Sequence, residues 1–224
     1  MSIVLSAKKL TKVYRRGAER VTAVWDLDIQ LESGMFYVLI GQSGCGKTTL
    51  LKLLSGLLRP DKGEVRIGGE LIAERSRNGL RSSNIGVIPQ ECTLLPEYTV
   101  GENIILPLAV AKHSTDKEWI GELTGALGLE RLLCCYPHEL SGGERQRVGI
   151  ARAMAMRPPI LLADEPVGNL DQKNSSDIMD QLFLLGRKQK QTVLLTTHNL
   201  ELTRYADCLF YMENGRLKDR GEGA

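Results

Sequence analysis

The sequence lacks any long apolar run, any pairing pattern of cysteines and any real surplus of charge. No segment reaches the ~20 consecutive apolar residues that span a bilayer, so the chain does not read as membrane-embedded. Five cysteines are present: Cys45, Cys92, Cys134, Cys135 and Cys208. They are odd in number, scattered, and free of any CxxC spacing, which argues against a zinc knuckle and against a disulfide framework. Adjacent Cys134 and Cys135 are expected to face different sides of a helical segment. Lys and Arg total 29 against 27 Asp and Glu, for a formal net charge of +2. A dedicated nucleic-acid binder carries a larger basic excess or a basic block, so no nucleic-acid partner is expected. The short clusters Arg15-Arg16 and Arg75 to Arg77 read as solvated loops. There is no internal repeat and no low-complexity stretch. Met1 to Leu10 has none of the features of a secretory leader, so the chain is expected to stay cytoplasmic unless a partner holds it at a membrane.

What is present is an ordinary globular composition, 42% hydrophobic and 25% charged over 224 residues. That suits one large α/β domain with room for a smaller subdomain. Leu27, Ile29 and Leu31 alternate with Asp26, Asp28 and Gln30, the period of a half-buried and antiparallel strand. After a turn at Ser33-Gly34, Phe36 to Ile40 is continuously apolar, as a strand buried on both faces must be. A helix is predicted over Thr48 to Leu58. Short strands follow at Gly63 to Glu70 and Ile85 to Ile88. From about Glu91 to Leu140 the strand signals fade, and Trp119, Leu123, Ala126 and Leu127 recur at helical spacing. Beyond it come a buried strand at Ile160 to Ala163, a helix at Ser175 to Lys190, a strand at Val193 to Thr197 and a short helix at Leu200 to Tyr205. Cys208 to Met212 and Arg216 to Asp219 flank Asn214-Gly215, a tight-hairpin signal. The fold class expected is α/β: a mostly parallel sheet covered by helices, with an N-terminal antiparallel β subdomain. The core is 1–90 with 141–224, and a helical subdomain occupies 91–140.

Two local patterns carry chemistry. Gly41-Gln42-Ser43-Gly44-Cys45-Gly46-Lys47-Thr48 fits G-x-x-x-x-G-K-[ST] and sits between a buried strand and a helix, the context that makes it a phosphate-binding P-loop. Glycines let the backbone curl round phosphate oxygens, successive N–H groups and the helix N-terminus face the anion, and Lys47 adds a full charge near the β and γ phosphates. Thr48 is placed for Mg²⁺, with Thr49 beside it. The second pattern is an apolar strand, Ile160 to Ala163, that ends in Asp164-Glu165. Asp164 can hold Mg²⁺ through water while Glu165 polarises the attacking water. Two roles need two carboxylates, because one committed to the metal is a poor base. Ser141-Gly142-Gly143-Glu144, ahead of an amphipathic helix to Met156, also has the form of a helix capping box.

The order and spacing of these segments resemble the nucleotide-binding subunits of ATP-binding cassette (ABC) transporters, over essentially the whole chain. Gly41 to Thr48 matches the Walker A loop, Gln90 the Q-loop glutamine and Ser141 to Glu144 the signature motif. Asp164-Glu165 matches Walker B with its catalytic glutamate, Asn169-Leu170-Asp171 the D-loop, and His198 the switch histidine. Tyr14 stands where the family places an aromatic ring on adenine. The resemblance implies a P-loop ATPase using ATP and Mg²⁺. It implies Glu165, His198, Lys47 and Gln90 as catalytic residues, with Thr48, Gln90 and Asp164 about the metal. It also implies a head-to-tail dimer, homodimeric or paired with another cassette, closed around two ATP. Each ATP would then meet the Walker A loop of one subunit and the signature of the other. Integral membrane permease subunits are the implied partners, held at the cytoplasmic face and met through part of Leu94 to Leu108. Asp171 reads either as a nucleotide contact or as a helix cap.

Within the family, Ala163 to Pro166, Gly168 to Asp171 and Glu102 to Leu108 are most similar to the branch for lipoprotein release, macrolide export and antimicrobial-peptide resistance. The chain departs from that pattern at Val167, Asn199 and Pro89, the last of which restricts Ile88 just before Gln90. Soluble ABC ATPases of DNA repair or translation usually carry a long coiled coil or a second cassette, and this sequence shows neither pattern, so that alternative is not favoured. A binding module without turnover would lack some of Lys47, Thr48, Asp164, Glu165 and His198, and all five are there.

Overall fold

A computed structural model describes residues 2–17, 19–72, 84–168 and 172–218. The expectations for Arg75 to Arg77, Asn169 to Asp171 and Asp219 lie outside these residues. Two sheets organise the chain. The first is antiparallel, in the order β2-β1-β4-β5, from β1 (Ile3–Arg16), β2 (Glu19–Glu32), β4 (Lys62–Ile67) and β5 (Glu70–Leu71). The second has the order β10-β9-β3-β8-β7-β6, from β3 (Phe36–Gly41), β6 (Ile85–Ile88), β7 (Ile160–Asp164), β8 (Thr192–Thr197), β9 (Cys208–Glu213) and β10 (Arg216–Lys218). All its pairings are parallel except β9 with β10.

Side-chain alternation along β3 explains its unbroken apolar run. Phe36, Val38 and Ile40 enter one core with the helices of the second half of the chain, whereas Tyr37 and Leu39 enter the other with the antiparallel sheet. Every residue of β7 and β8 is buried as well. A strand covered on both faces has no polar side to offer, hence the near-continuous hydrophobicity. On the antiparallel sheet, Leu27, Ile29 and Leu31 point inward while Asp26, Asp28 and Gln30 face out.

Helix α1 (Lys47–Leu54) is shorter than the predicted span to Leu58. Gly56 takes φ 69° and its N–H bonds the Leu53 carbonyl at 3.0 Å, so the chain turns away. Arg15 and Arg16 end β1 and are not in a loop. Between residues 91 and 140 lie α2 (Val100–Val110), α3 (Lys117–Ala126) and two 3₁₀ turns. Helix α2 opens on a capping box of Thr99 and Glu102. In α3 the inward arc is Trp119, Leu123 and Thr124, with Leu127 just past its end. Ala126 stays exposed because at 100° per residue it lies about 110° round the helix from the arc's centre between Leu123 and Thr124. The Trp119 indole donates to the Met154 carbonyl at 3.3 Å. Cys134 and Cys135 sit in a turn and not on a helix, and all five cysteines are free thiols. Helix α4 (Gly142–Met154) packs on α2 and α5 (Gln172–Lys188). Among the described residues no helix is long and apolar enough to cross a membrane.

Candidate functional site

The parallel strands deliver their C-terminal ends to one edge, and the candidate site is built there. At the end of β3 the chain passes through Gly41 to Gly46 and starts α1 at Lys47. Gly46 takes φ 112°, and a Cβ there would stand 2.1 Å from the Ala23 carbonyl oxygen. Only glycine allows both the turn and that close approach. The tip of the β9–β10 hairpin braces the loop from behind. The Gly215 N–H donates to the Cys45 carbonyl at 3.0 Å, and the Gly215 carbonyl accepts from the Trp25 N–H at 2.8 Å. With Asn214 at φ 48° and Gly215 at φ 79°, that tip is a turn with both central residues left-handed, as the Asn-Gly pair predicts.

Lys47 is only 5% exposed. Its ammonium donates to the carbonyls of Gly41 at 2.7 Å and Gln42 at 3.1 Å, and stands 3.6 Å from Glu165 Oε1. Its cation is thereby aimed along the loop toward the end of β7. Strand β8 lies between β3 and β7, so these groups meet across two strand spacings.

Glu165 follows β7 in a left-handed turn, φ 43°, a backbone state that costs a non-glycine residue of order 1 kcal/mol or more. Its N–H bonds the Thr196 carbonyl at 3.0 Å and its own carbonyl accepts from Gly168 at 3.0 Å. Those bonds hold the turn. They point the carboxylate at Lys47 on one side and at His198 on the other, where Oε2 lies 2.9 Å from Nδ1. Asp164, the preceding residue, is buried and accepts from the Thr196 hydroxyl at 2.7 Å. The hydroxyl fixes the carboxylate's rotation and leaves its second oxygen uncommitted to that bond.

A cleft of about 600 Å³ is lined by Tyr14, Ser43, Gly44, Gly46, Lys47, Thr48, Thr49, Gln90, Glu165 and His198, all expected from the sequence. Gly41, Gln42 and Cys45 belong to the same loop but do not line the cleft, and neither does Asp164, which is buried at the end of β7 next to Glu165. Ala23 and Gly168 line it too and were missed by sequence reasoning. Ala23 offers only backbone and a methyl group, so no reactive side chain marks it. Gly168 stands next to the D-loop, and a Cβ there would come within 3.2 Å of Glu165 Oε2.

Ser141, Gly142, Gly143 and Glu144 are not in the cleft lining. They begin α4 with a full capping box: Ser141 Oγ accepts from the Glu144 N–H at 3.3 Å, and Glu144 Oε2 accepts from Ser141 N–H and Oγ at 2.8 and 2.7 Å. The capping reading of this segment is thereby met. The Ser141 hydroxyl and backbone N–H hold the Glu144 carboxyl below its usual range. Exposed Ser141 and Gly142 leave the helix N-terminus open to an anion from outside the chain. Asp171 lies outside the described residues.

A phosphate-binding loop at a parallel sheet edge, with a lysine, a glutamate and a histidine converging on one cleft and an aspartate preceding that glutamate, defines a P-loop nucleoside triphosphatase. The chain belongs to the ABC transporter family, whose profile matches residues 24–168. The lipoprotein-releasing system ATP-binding protein LolD of Geobacter metallireducens is 40% identical over 222 residues, 97% of this chain and 99% of that protein. The dimeric structure of MJ0796, a bacterial ABC transporter cassette, superposes with a TM-score of 0.88 at 33% identity, covering 96% of this chain and 97% of that one. The same cassette in a dimeric post-hydrolysis state, bound to ADP and Pi, superposes with a TM-score of 0.86 at 33% identity over the same shares. This chain is an ATP-binding and ATP-hydrolysing subunit of an ABC transporter.

Proposed function

We propose that hydrolysis runs at the cleft between the P-loop and Glu165, and that a membrane partner of the lipoprotein-releasing kind receives the resulting motion. One observation carries the assignment of roles: a single carboxylate, Glu165, is held between the Lys47 ammonium at 3.6 Å and the His198 imidazole at 2.9 Å. Glu165 takes the proton of the attacking water. Lys47 stabilises charge on the transferring phosphate, and His198 orients Glu165 and meets the γ-phosphate. Tyr14, 40% exposed, offers a ring face to the base at the outer end of the cleft.

The donors available for a metal are hard oxygens: the exposed Thr48 hydroxyl, Gln90 and Asp164. Among the described residues no group of three or more His, Cys, Asp or Glu forms a closed metal cage. That set fits Mg²⁺, which keeps waters and takes phosphate oxygens as ligands. Bound there, Mg²⁺ would offset negative charge on the phosphates.

Ser141, the amides of Gly142 and Gly143, and Glu144 supply the second half of the site to a partner subunit's ATP, closing two cassettes head to tail around two nucleotides. The segment 91–140 forms the helical subdomain that meets the permease at the cytoplasmic face, with part of Leu94 to Leu108 on the contact surface. Leu95 and Tyr98, 37% and 43% exposed, are apolar groups available for it. Support for the lipoprotein-release branch comes from the LolD likeness over nearly the full length.

The test is Glu165→Gln. It should bind ATP and form a dimer with it by light scattering, while turnover falls by roughly a thousandfold or more. Retained turnover would remove Glu165 as the base. Solubilising membranes with this variant and ATP should recover a permease with a large external domain. Recovery of nucleic acid or ribosomes in its place would remove the transporter partner.

A further inference from the structure

The outer end of the cleft, at Tyr14, depends on a residue that does not line it. Pairing of β1 with β4 ends at Thr11 and Lys62, so the edge of β1 that leads to Tyr14 has no residue of β4 beside it. Asp61 stands in that place. Its N–H donates to the Thr11 carbonyl at 2.9 Å, and its Oδ2 accepts from the Val13 N–H at 2.7 Å. Its Oδ1 accepts from the Lys12 ammonium at 3.0 Å, and the same ammonium donates to the Arg59 carbonyl at 2.9 Å. One residue thus continues the ladder that β4 has left, with a carboxylate in the role of a strand carbonyl. The Val13 N–H and the Lys12 ammonium hold the Asp61 carboxyl below its usual range, so the ionised carboxylate makes these bonds. On the other edge of β1 the pairing with β2 slips at the same point. Lys12 faces Val24 and Val13 faces Thr22, which leaves Ala23 as the extra residue of a β-bulge. A ladder interrupted there does not by itself fix where Tyr14 falls over the cleft. The β2 side of the bulge is braced by the Trp25 N–H, which donates to the Gly215 carbonyl at 2.8 Å. The β1 side is braced by Asp61.

We propose that Asp61 is a positioning residue for the adenine base: by holding Lys12 and Val13 across from the bulge, it sets the place of the Tyr14 ring over the cleft. The inference rests on the role given above to Tyr14. Asp61 comes shortly after α1, the helix that begins at the phosphate loop. The link between them is short and restrained. Leu58 N–H bonds back to the Lys52 carbonyl at 2.9 Å, and Pro60 narrows the backbone choices of Arg59. The base end and the phosphate end of the cleft are therefore tied to one stretch of chain, which fixes the span a nucleotide has to bridge. Loosening Asp61 frees the Tyr14 ring and leaves the phosphate loop, clasped by the hairpin tip, as it is.

The experiment is MgADP titration calorimetry with steady-state ATPase kinetics on the full chain, for Tyr14→Ala, Asp61→Ala and Asp61→Asn, and for each Asp61 variant combined with Tyr14→Ala. Tyr14→Ala should weaken MgADP by roughly five- to a hundredfold, the range of one base stacked on an aromatic ring. Asp61→Ala should take part of that loss, about three- to tenfold. The KM for ATP should rise with it while kcat at saturation holds, the mark of lost binding and not of lost chemistry. Asp61→Asn keeps an oxygen for the Val13 N–H and should lose less, and it carries the test if the alanine variant does not fold. In the combined variants the Asp61 loss should vanish into that of Tyr14→Ala, because an absent ring cannot be misplaced. MgADP affinity unchanged in both Asp61 variants, losses that add in full in the combined variants, or a fall in kcat in place of a rise in KM would each overturn the proposal. A Tyr14→Ala variant that binds MgADP as the parent does would remove the Tyr14 reading and this inference with it. A weakened Tyr14→Ala beside an Asp61→Ala of full affinity would remove this inference alone.

Discussion

Gly46 shows how one residue sets the terms for nucleotide binding. Its φ of 112° is open to glycine, and the Ala23 carbonyl stands where a Cβ would go, 2.1 Å away. The obstacle is backbone, which cannot swing aside as a flexible side chain can. Gly46→Ala should therefore cost several kcal/mol, about 1–3 for the strained backbone plus the overlap. Expected are a lower melting temperature and loss of MgADP binding by calorimetry, and an alanine variant that binds MgADP normally would show that the loop does not need this geometry. Glu165 is the complementary case, a residue that accepts a left-handed φ of 43° because bonds to Thr196 and Gly168 hold it there. The sequence marks both residues through motifs, but their reasons are three-dimensional. Ala23 and Thr196 provide them from other parts of the chain, and Gly168 from three residues past Glu165. Ala23 in particular contributes a carbonyl, which every residue has, and so leaves no trace in the residue pattern.

At the scale of elements, α2 and α4 begin with the same device. Thr99 with Glu102, and Ser141 with Glu144, exchange side-chain and backbone hydrogen bonds at the first turn. The Thr99 backbone and side chain hold Glu102 below its ordinary range, and the Ser141 side chain and backbone do the same for Glu144. A depressed folded pKa means the stabilisation is complete above the unfolded glutamate value of about 4.3 and is lost as pH falls through the lower folded one. Thr99→Ala should cost about 1 kcal/mol, seen near neutral pH as a melting shift of roughly 2–4 °C. Toward pH 3 the gap between Thr99→Ala and the parent should narrow, and a gap that is constant across this range would count against the charged cap. The strands β3, β7 and β8 were legible from their apolar runs because both faces are buried. The long ribbon of β1 and β2 was legible only near Leu27 to Leu31. Its pairing slips between Ala7 and Leu10 and again before Lys12, with Lys9 and Asp26 at positive φ, so no single alternation runs through it. The meeting of Lys47, Glu165 and His198 depends on strand order β3-β8-β7. Strand order is a long-range property that local periodicity does not carry.

Across the whole molecule, the cleft and the α4 N-terminus are separate surfaces, and under the head-to-tail pairing proposed above a lone cassette is half a site. ATPase activity per chain should therefore rise with protein concentration through the micromolar range and then level off, as a dimerisation equilibrium requires. A rate per chain that stays flat across dilution would remove the need for a second cassette. The two halves also differ in how far they are finished in advance. The phosphate loop is clasped from behind by the hairpin tip, where Gly215 bonds both Cys45 and Trp25. Its shape is set by bonds that no ligand makes or breaks. A nucleotide arriving there docks on a rigid surface and orders almost nothing, so MgADP binding should show only a small heat-capacity change. The large negative value that marks buried apolar surface should appear with ATP, when two chains close.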